Sequence, residues 1–189
     1  MELISLRPTD SQLWSQAWKL YEESFPPYER RLPEDHLRAM QDGEFHCQVA
    51  VRRGENGAAP ALLALFFYWE HGPMVYIEHI AVDPALRGQN IGSTLLGQFL
   101  ARHVESTTIL EIDPPVDEVA QRRLRFYRHQ GFVSNDYEYF HPSYGTGPVH
   151  PLTILSYPRA ITRTEFDGFL RYMREKVLSY TAAAAATAE

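Results

Sequence analysis

Glu78 lies inside an apolar run, Tyr76-Ile-Glu-His-Ile-Ala-Val82, and Glu111 inside another, Ile109-Leu-Glu-Ile-Asp113. A charge in such a run demands a partner, a water-filled cleft or a raised pKa. A carboxyl so placed can also accept a proton in catalysis. Strict alternation along the first run puts Tyr76, Glu78, Ile80 and Val82 on one face and Ile77, His79 and Ala81 on the other. Between the two runs, Asp83-Pro84 breaks the extended pattern and Leu86 to Gly92 leads into a helical pattern of Ile91, Leu95, Leu96, Phe99, Leu100 and Val104. Strand, loop and helix in that order can make an anion site, because the first amides of a helix have no intrahelical partner and point outward with the positive end of the dipole. Gly88 and Gly92 allow close approach, Arg87 adds a cation and Ser93 a hydroxyl. Glycines before a helix are more commonly turn and packing residues. The stretch matches neither G-x-G-x-x-G nor the G-x-x-x-x-G-K-[ST] phosphate loop, whose lysine it lacks, which argues against nucleotide hydrolysis.

Other chemistries find less support. The eight histidines offer no H-x-x-x-H or H-E-x-x-H spacing, so no metal site is predicted. No G-x-S-x-G elbow occurs, and Ser24, ahead of Phe25-Pro-Pro, reads as a turn residue. Cys47 is the single cysteine, which excludes an internal disulfide and a thiolate zinc cluster; flanked by Phe45 and Val49, it reads as part of a strand's buried face.

The elements that must position these residues follow from periodicity and punctuation. A strand is predicted over Leu3 to Arg7, then a helix opened by a Thr9/Gln12 capping box, and a second short helix from Pro33 to Gly43. The runs Phe45 to Arg52 and Ala61 to Trp69, joined through Gly54-Glu-Asn-Gly57, read as an antiparallel pair. Met74 to Val82 and Thr107 to Ile112 are strands, Asp117 to His129 is a helix, and further strands fall near Phe132 to Phe140 and Leu152 to Ser156. A last helix is opened by a Thr162/Glu165 capping box, with Phe166, Phe169, Leu170, Met173 and Val177 on one face.

With 189 residues, 44% hydrophobic and 22% charged, the chain suits one well-buried domain over 1–179, followed by an Ala-rich tail at 180–189 that reads as frayed. The net charge of −6 weighs against nonspecific binding to nucleic acid or to an acidic membrane, and suits a cationic amine. The N-terminal residues lack the basic start and apolar stretch of a secretory signal, and the longest apolar run, Ala61 to Trp69, is too short to span a bilayer, so a cytoplasmic location is expected.

The segment Ile80-Ala-Val-Asp-Pro-Ala-Leu-Arg-Gly-Gln-Asn-Ile-Gly-Ser93 resembles the cofactor turn of the GNAT acetyltransferases, [R/Q]-x-x-G-x-[G/A] after a strand ending in an Ala-Val-Asp-Pro-like sequence. Arg87 and Gly92 match. Asn90 stands in place of the first motif glycine, and Asn is among the residues that best tolerate positive φ. Downstream, Phe126-Tyr-Arg-His-Gln-Gly-Phe132 is similar to the family's Y-x-x-x-G-F segment. The resemblance implies an α/β fold with a strongly twisted, mixed central sheet, flanked by helices, in which the Met74 and Thr107 strands run parallel and splay to admit acetyl-CoA. It further implies that the amides of Gly88, Gln89, Asn90, Ile91, Gly92 and Ser93, with Arg87, hold the pyrophosphate, and that the backbone of Ile80, Ala81 and Val82 aligns the pantetheine arm, with an amide near Ile80 polarising the thioester carbonyl.

By the same resemblance Tyr127 protonates the departing thiolate, a core tyrosine on the face of Val116, Ala120 and Leu124 being the plainer reading, and Glu78 faces the acceptor as a candidate base. Glu111 competes with it, and either carboxylate could instead anchor an ammonium or pair with an arginine. Ala120 and Arg123 stand where the family often has an asparagine and a small residue; a contact from Arg123 to a cofactor phosphate is one option, a solvated basic face another. The aromatics Phe25, Tyr28, Trp69, Tyr137, Tyr139, Phe140 and Tyr144 are expected to border the acceptor groove or to pack, and Phe140 to Pro148 to form a mobile lid. The expected protein, a monomer or homodimer, transfers an acetyl group from acetyl-CoA to a small primary amine in a ternary complex. A noncatalytic acyl-CoA-binding sensor or interaction domain of the same fold is the alternative.

Overall fold

The computed structural model describes residues 1–54, 58–145 and 147–181. The turn expected at Gly54 to Gly57 therefore lies largely outside the described residues, as does nearly all of the Ala-rich tail. The elements follow in the order β1 (Glu2–Ser5), α1 (Ser11–Ser24), α2 (Pro33–Ala39), β2 (Phe45–Arg52), β3 (Ala61–His71), β4 (Met74–Val82), α3 (Ile91–Arg102), β5 (Thr107–Ile112), α4 (Glu118–His129), β6 (Val133–Ser134), β7 (Phe140–His141), β8 (His150–Pro151), β9 (Thr153–Tyr157) and α5 (Arg163–Glu175). Seven strands form one sheet in the order β1-β2-β3-β4-β5-β9-β6, and β7 and β8 make a separate ribbon. The mixed α/β fold with a central mixed sheet flanked by helices is the one anticipated.

Each face of the sheet carries its own apolar layer. On one face, Val49, Phe67, Trp69, Tyr76 and Ile109 pack against α1 and α5 through Ala17, Tyr21, Phe166 and Phe169. On the other, Phe66, Tyr68, Ile77, Leu110 and Leu155 pack against α3 and α4 through Leu95, Leu96, Phe99, Leu124 and Tyr127. This two-sided burial is why β3 reads as a nearly continuous apolar run. Cys47 is buried in the first layer, as its neighbours suggested. Among the described residues no helix is long and apolar enough to cross a membrane.

All sheet pairings are antiparallel except β4 with β5, and that parallel pairing runs only from Met74↔Thr107 to Ile77↔Leu110. Beyond it the two strands part, and Glu78 and Glu111 are the first residues past the fork. β4 also carries a bulge: Phe67 faces His79 and Tyr68 faces Ile77, leaving Glu78 without a partner on β3. An extra residue on one strand shifts the phase of alternation. Tyr76 and Ala81 consequently share one layer, whereas Ile80 and Val82 pack in the other with Ile77. The uninterrupted alternation expected from the sequence therefore fails at Glu78, because the bulge puts His79 on the Glu78 side and turns Ile80 and Val82 away.

Other departures are local. Helix α1 starts at Ser11 with Asp10 as N-cap and no side-chain cap, so the Thr9 box does not form. The strand expected from Phe132 to Phe140 is reduced to β6 and β7, because Asn135 binds the Ile154 carbonyl and Ser156 Oγ through its amide and accepts from Ile161 N, which takes the chain off the sheet edge. The following strand is Thr153–Tyr157, one residue later than expected. Val104, assigned to the buried face of α3, is 65% exposed beyond the helix end. The Thr162/Glu165 capping box forms as read.

One buried ion pair links distant parts of the fold. Arg31, in the loop before α2, meets Glu78 with side-chain exposures of 0% and 1%. Its remaining donors reach the carbonyls of Val177 at 3.1 Å and Tyr180 at 3.2 Å, and its guanidinium lies 5.2 to 5.5 Å from the ring centres of Tyr144, Phe45 and Trp69. Removing one partner of such a pair leaves the other charge buried and uncompensated. Arg31→Met is therefore expected to lower unfolding free energy by roughly 3–5 kcal/mol in urea titrations. Adding Glu78→Gln should recover part of that loss in a double-mutant cycle.

Candidate active site at the strand fork

A cavity of about 280 Å³ opens at the fork, lined by Glu78 and His79 of β4, Glu111 to Asp113 around the end of β5, Ser24 to Glu29 of the loop after α1, Arg123 of α4, and His141 and Tyr144 of the β7–β8 segment. A larger hollow, about 720 Å³, lies at the opposite end of the parallel pair around Met74, Thr107 and α5. Another, about 680 Å³, lies beside β1 and the start of α1. Neither gathers the predicted residues, so size is a poor guide to chemistry here.

The two carboxylates on the fork differ sharply. Glu78 Oε2 accepts from Trp69 Nε1 at 2.8 Å, and Oε1 takes both the Arg31 guanidinium and the Tyr144 hydroxyl. Burial alone would push its pKa up, but the charges of Arg31 and His79 and the hydrogen bonds from Arg31 and Tyr144 outweigh it and leave the group down at about 2. Glu78 is thus a permanent, fully engaged anion, an arrangement that suits an anchoring role better than proton acceptance. Glu111 Oε2 accepts from the Tyr76 hydroxyl at 3.1 Å and lies 3.3 Å from His141 Nδ1, while Oε1 is buried without a hydrogen-bond partner. Burial raises its pKa to about 7 against the hydroxyls of Tyr139 and Tyr76.

Glu29 adds a third acid to the cavity, with its pKa likewise raised to about 7 by burial and then by the charge of Asp113. Its carboxylate lies 3.1 Å from His150 Nε2, a contact without hydrogen-bond alignment. Its backbone carbonyl accepts from His79 Nε2 at 2.8 Å. Burial holds His79 and His141 down near 4, so both are neutral at pH 7. Arg123 pairs with Asp113 at 2.6 Å, which aims it at the mouth of this cavity. The site keeps an acidic balance.

On the other face of β4, the turn after Val82 has the shape its residues suggested. Asp83 caps the 3-10 turn Pro84–Leu86, Gly88 has φ 79°, and Asn90 has φ 62° at the N-cap of α3. The Asn90 side chain makes no capping bond, so the leading amides of α3 face outward uncapped. A Cβ on Gly92 would stand 3.5 Å from both Val82 and Phe126, an ordinary contact, so the start of α3 packs against β4 and α4 with room for a small side chain. Tyr127, next along α4, is 7% exposed in the layer that Ile80, Val82 and Ile91 also border. Its hydroxyl is raised to about 12 by burial, against the charge of Arg123.

Of the residues singled out from the sequence, Glu78 and Glu111 come together on one face of the fork. Ile80, Val82, the Arg87 to Ser93 turn and Tyr127 come together on the other. Phe25, Tyr28 and Tyr144 line the cavity at the fork, while Tyr137 and Tyr139 pack on Phe166 of α5 and Phe140 is 51% exposed. Instead of standing clear as a lid, the 140–148 segment is anchored: Tyr144 is 2% exposed, its amide binds the Tyr28 carbonyl, and Ser143 Oγ accepts from Gly145 and Gly147. Thr146 lies outside the described residues. Arg31, Glu29 and His141 were not singled out; they reach the site from loops distant in sequence, and no local pattern marks them.

The family model described as the GNAT acetyltransferase family matches residues 13–132. No curated protein matches the chain by sequence. Among solved structures, a GNAT-family protein from Bacteroides thetaiotaomicron aligns at 28% identity and TM-score 0.80, covering 94% of this chain and 98% of its own. The ribosomal-protein-S18-alanine N-acetyltransferase of Escherichia coli aligns at 19% and 0.56, covering 85% and 95%. An aminoglycoside 6'-N-acetyltransferase in complex with coenzyme A aligns at 13% and 0.57, covering 82% and 96%. The last two likenesses speak to the fold alone. With a family model spanning most of the sheet and both site-bearing turns, the chain belongs to the GNAT family of acetyltransferases.

Proposed function

We propose that the protein transfers an acetyl group from acetyl-CoA to a primary amine of a small cationic acceptor, by direct attack in a ternary complex. The observation that carries this reading is the fork itself, which sets an uncapped helix N-terminus on one sheet face against an acidic cavity on the other. The turn fits a pyrophosphate: the amides from Gly88 to Ser93 offer donors in a loop bent by two positive φ angles, and Arg87 adds charge. Beyond Ile77 the β5-facing edge of β4 is unpaired, so Ile80, Ala81 and Val82 can take an extended pantetheine arm as a strand would be taken. Bound acetyl-CoA supplies the activated acyl carbon, and an amide near Ile80 polarises its carbonyl.

Glu29, Glu111 and Asp113 give the acceptor cavity its attraction for an ammonium group, and its modest volume favours a compact molecule over a protein surface. The neutral, high-pKa hydroxyl of Tyr127 is a proton donor at pH 7, which suits protonation of a departing thiolate. Glu78 holds Arg31 and Tyr144 in place along the cavity wall.

Thiol release assayed against small amines, amino sugars, polyamines and peptide N-termini should show amine-dependent turnover confined to small cationic acceptors; calorimetric binding of acetyl-CoA without release from any acceptor would instead identify a sensor. Tyr127→Phe should lower kcat by about 10²-fold while leaving coenzyme A affinity unchanged. A fully active variant across pH removes Tyr127 from the mechanism. At the turn, Asn90→Gly should leave coenzyme A affinity unchanged, whereas Asn90→Val, costing roughly 1–2 kcal/mol in the left-handed region, should weaken it about tenfold in titration calorimetry.

A further inference from the structure

The structure assigns the proton-accepting role to Glu111: we infer that its free oxygen takes a proton from the acceptor's ammonium, while Glu78 serves as the fixed anion of the cavity wall. The inference rests on the acetyltransferase reading and specifies which carboxylate acts. Three geometric observations carry it. Glu111 is the first residue of β5 past the last parallel pair, at the point where the strands part. Its side chain is 6% exposed and lines the cavity, yet Oε1 has no hydrogen-bond partner among the described residues. A buried carboxylate oxygen left this way is costly unless a proton or a cation arrives to satisfy it. Glu78, by contrast, has both oxygens occupied by Arg31, Tyr144 and Trp69, so no position on it is open to an ammonium proton.

The groups around Glu111 are suited to holding it between its two protonation states. From β4, the Tyr76 hydroxyl donates to it and the Glu78 charge opposes its ionisation; from the β7–β8 side, Tyr139, His141 and His150 approach. Glu29 and the Asp113–Arg123 pair complete the cavity. None of these is a fixed, unpaired cation, so the arriving ammonium is the missing counter-charge. Burial holds Glu111 near 7, where a base works best at neutral pH.

The step balances as follows. The ammonium gives one proton to Glu111, which passes it to solvent. The freed nitrogen lone pair forms the C–N bond to the acyl carbon, and the C–S bond breaks with its electron pair on sulfur. Tyr127 protonates the thiolate and is reprotonated by the second proton lost from nitrogen, directly or through water. One proton is released per acetyl transferred.

The test is a kcat/KM profile over pH for amines of differing basicity. For the wild type, the acid limb should rise through an apparent pKa near 7, the same for every amine, because ammonium is the form that binds. Glu111→Gln should lose about 10²-fold or more in kcat/KM. Its limb should move up to follow the amine's own pKa, with coenzyme A titration unchanged to show that the variant is folded. Glu29→Gln should keep the limb near 7. A wild-type limb that tracks amine basicity overturns the assignment without recourse to any variant. So does a Glu111→Gln enzyme with near-normal rates, or a limb abolished only by Glu29→Gln. Absence of amine-dependent thiol release at every pH would strike the acetyltransferase reading itself.

Discussion

The buried contact between Arg31 and Glu78 is the constraint on which the site depends. Desolvating two charges is costly, and their mutual attraction repays that cost only if the remaining donors and acceptors are also satisfied. Here they are: Val177 and Tyr180 carbonyls take the other guanidinium nitrogens, Trp69 and Tyr144 take the rest of the carboxylate, and Tyr21 receives the Arg31 amide. The partners come from the loop after α1, from β3 and β4, from the β7–β8 segment and from the turn after α5. Each partner lost leaves a buried polar group exposed to its full desolvation cost, so these segments are held to one arrangement. The cavity at the fork borders the segments they hold.

The same contact separates two carboxylates that chain position makes look equivalent. Both stand one residue beyond the last β4–β5 pair, on the same sheet face. Glu78 has a permanent counter-ion and is driven towards ionisation; Glu111 has only hydroxyls and neutral histidines and is driven the other way. Pairs of acids whose environments push their pKa values apart are a recurring way to divide roles within a site. The β4 bulge contributes by turning His79 to the Glu78 side of the sheet while Ile80 and Val82 pack in the other layer.

Much of this architecture was legible from local signals. The Asp83-Pro84 break, Gly88, Asn90 and the helical spacing after Ile91 mark a strand, turn and helix because each acts on its own neighbours, and Asn90 indeed adopts the left-handed conformation its type allows. The last helix was equally plain from Thr162, Glu165 and its apolar face. The phase of β4 beyond Ile77 was not legible, since a bulge is defined by the partner strand and no residue in Tyr76 to Val82 announces one. Nor was the identity of Glu78's counter-ion: an arginine 47 residues earlier is brought to it by tertiary packing alone. The sequence could name Glu78 and Glu111 as unusual carboxylates in apolar strands, but that one is fully paired and the other is not depends on their tertiary surroundings.

The two backbone carbonyls that hold Arg31 belong to the short 3-10 turn Val177–Tyr180, after the final helix. Through Arg31 this turn is tied to Glu78, which lines the cavity at the fork. Substitutions in the turn therefore act on the cavity at one remove, with no change among the residues that line it.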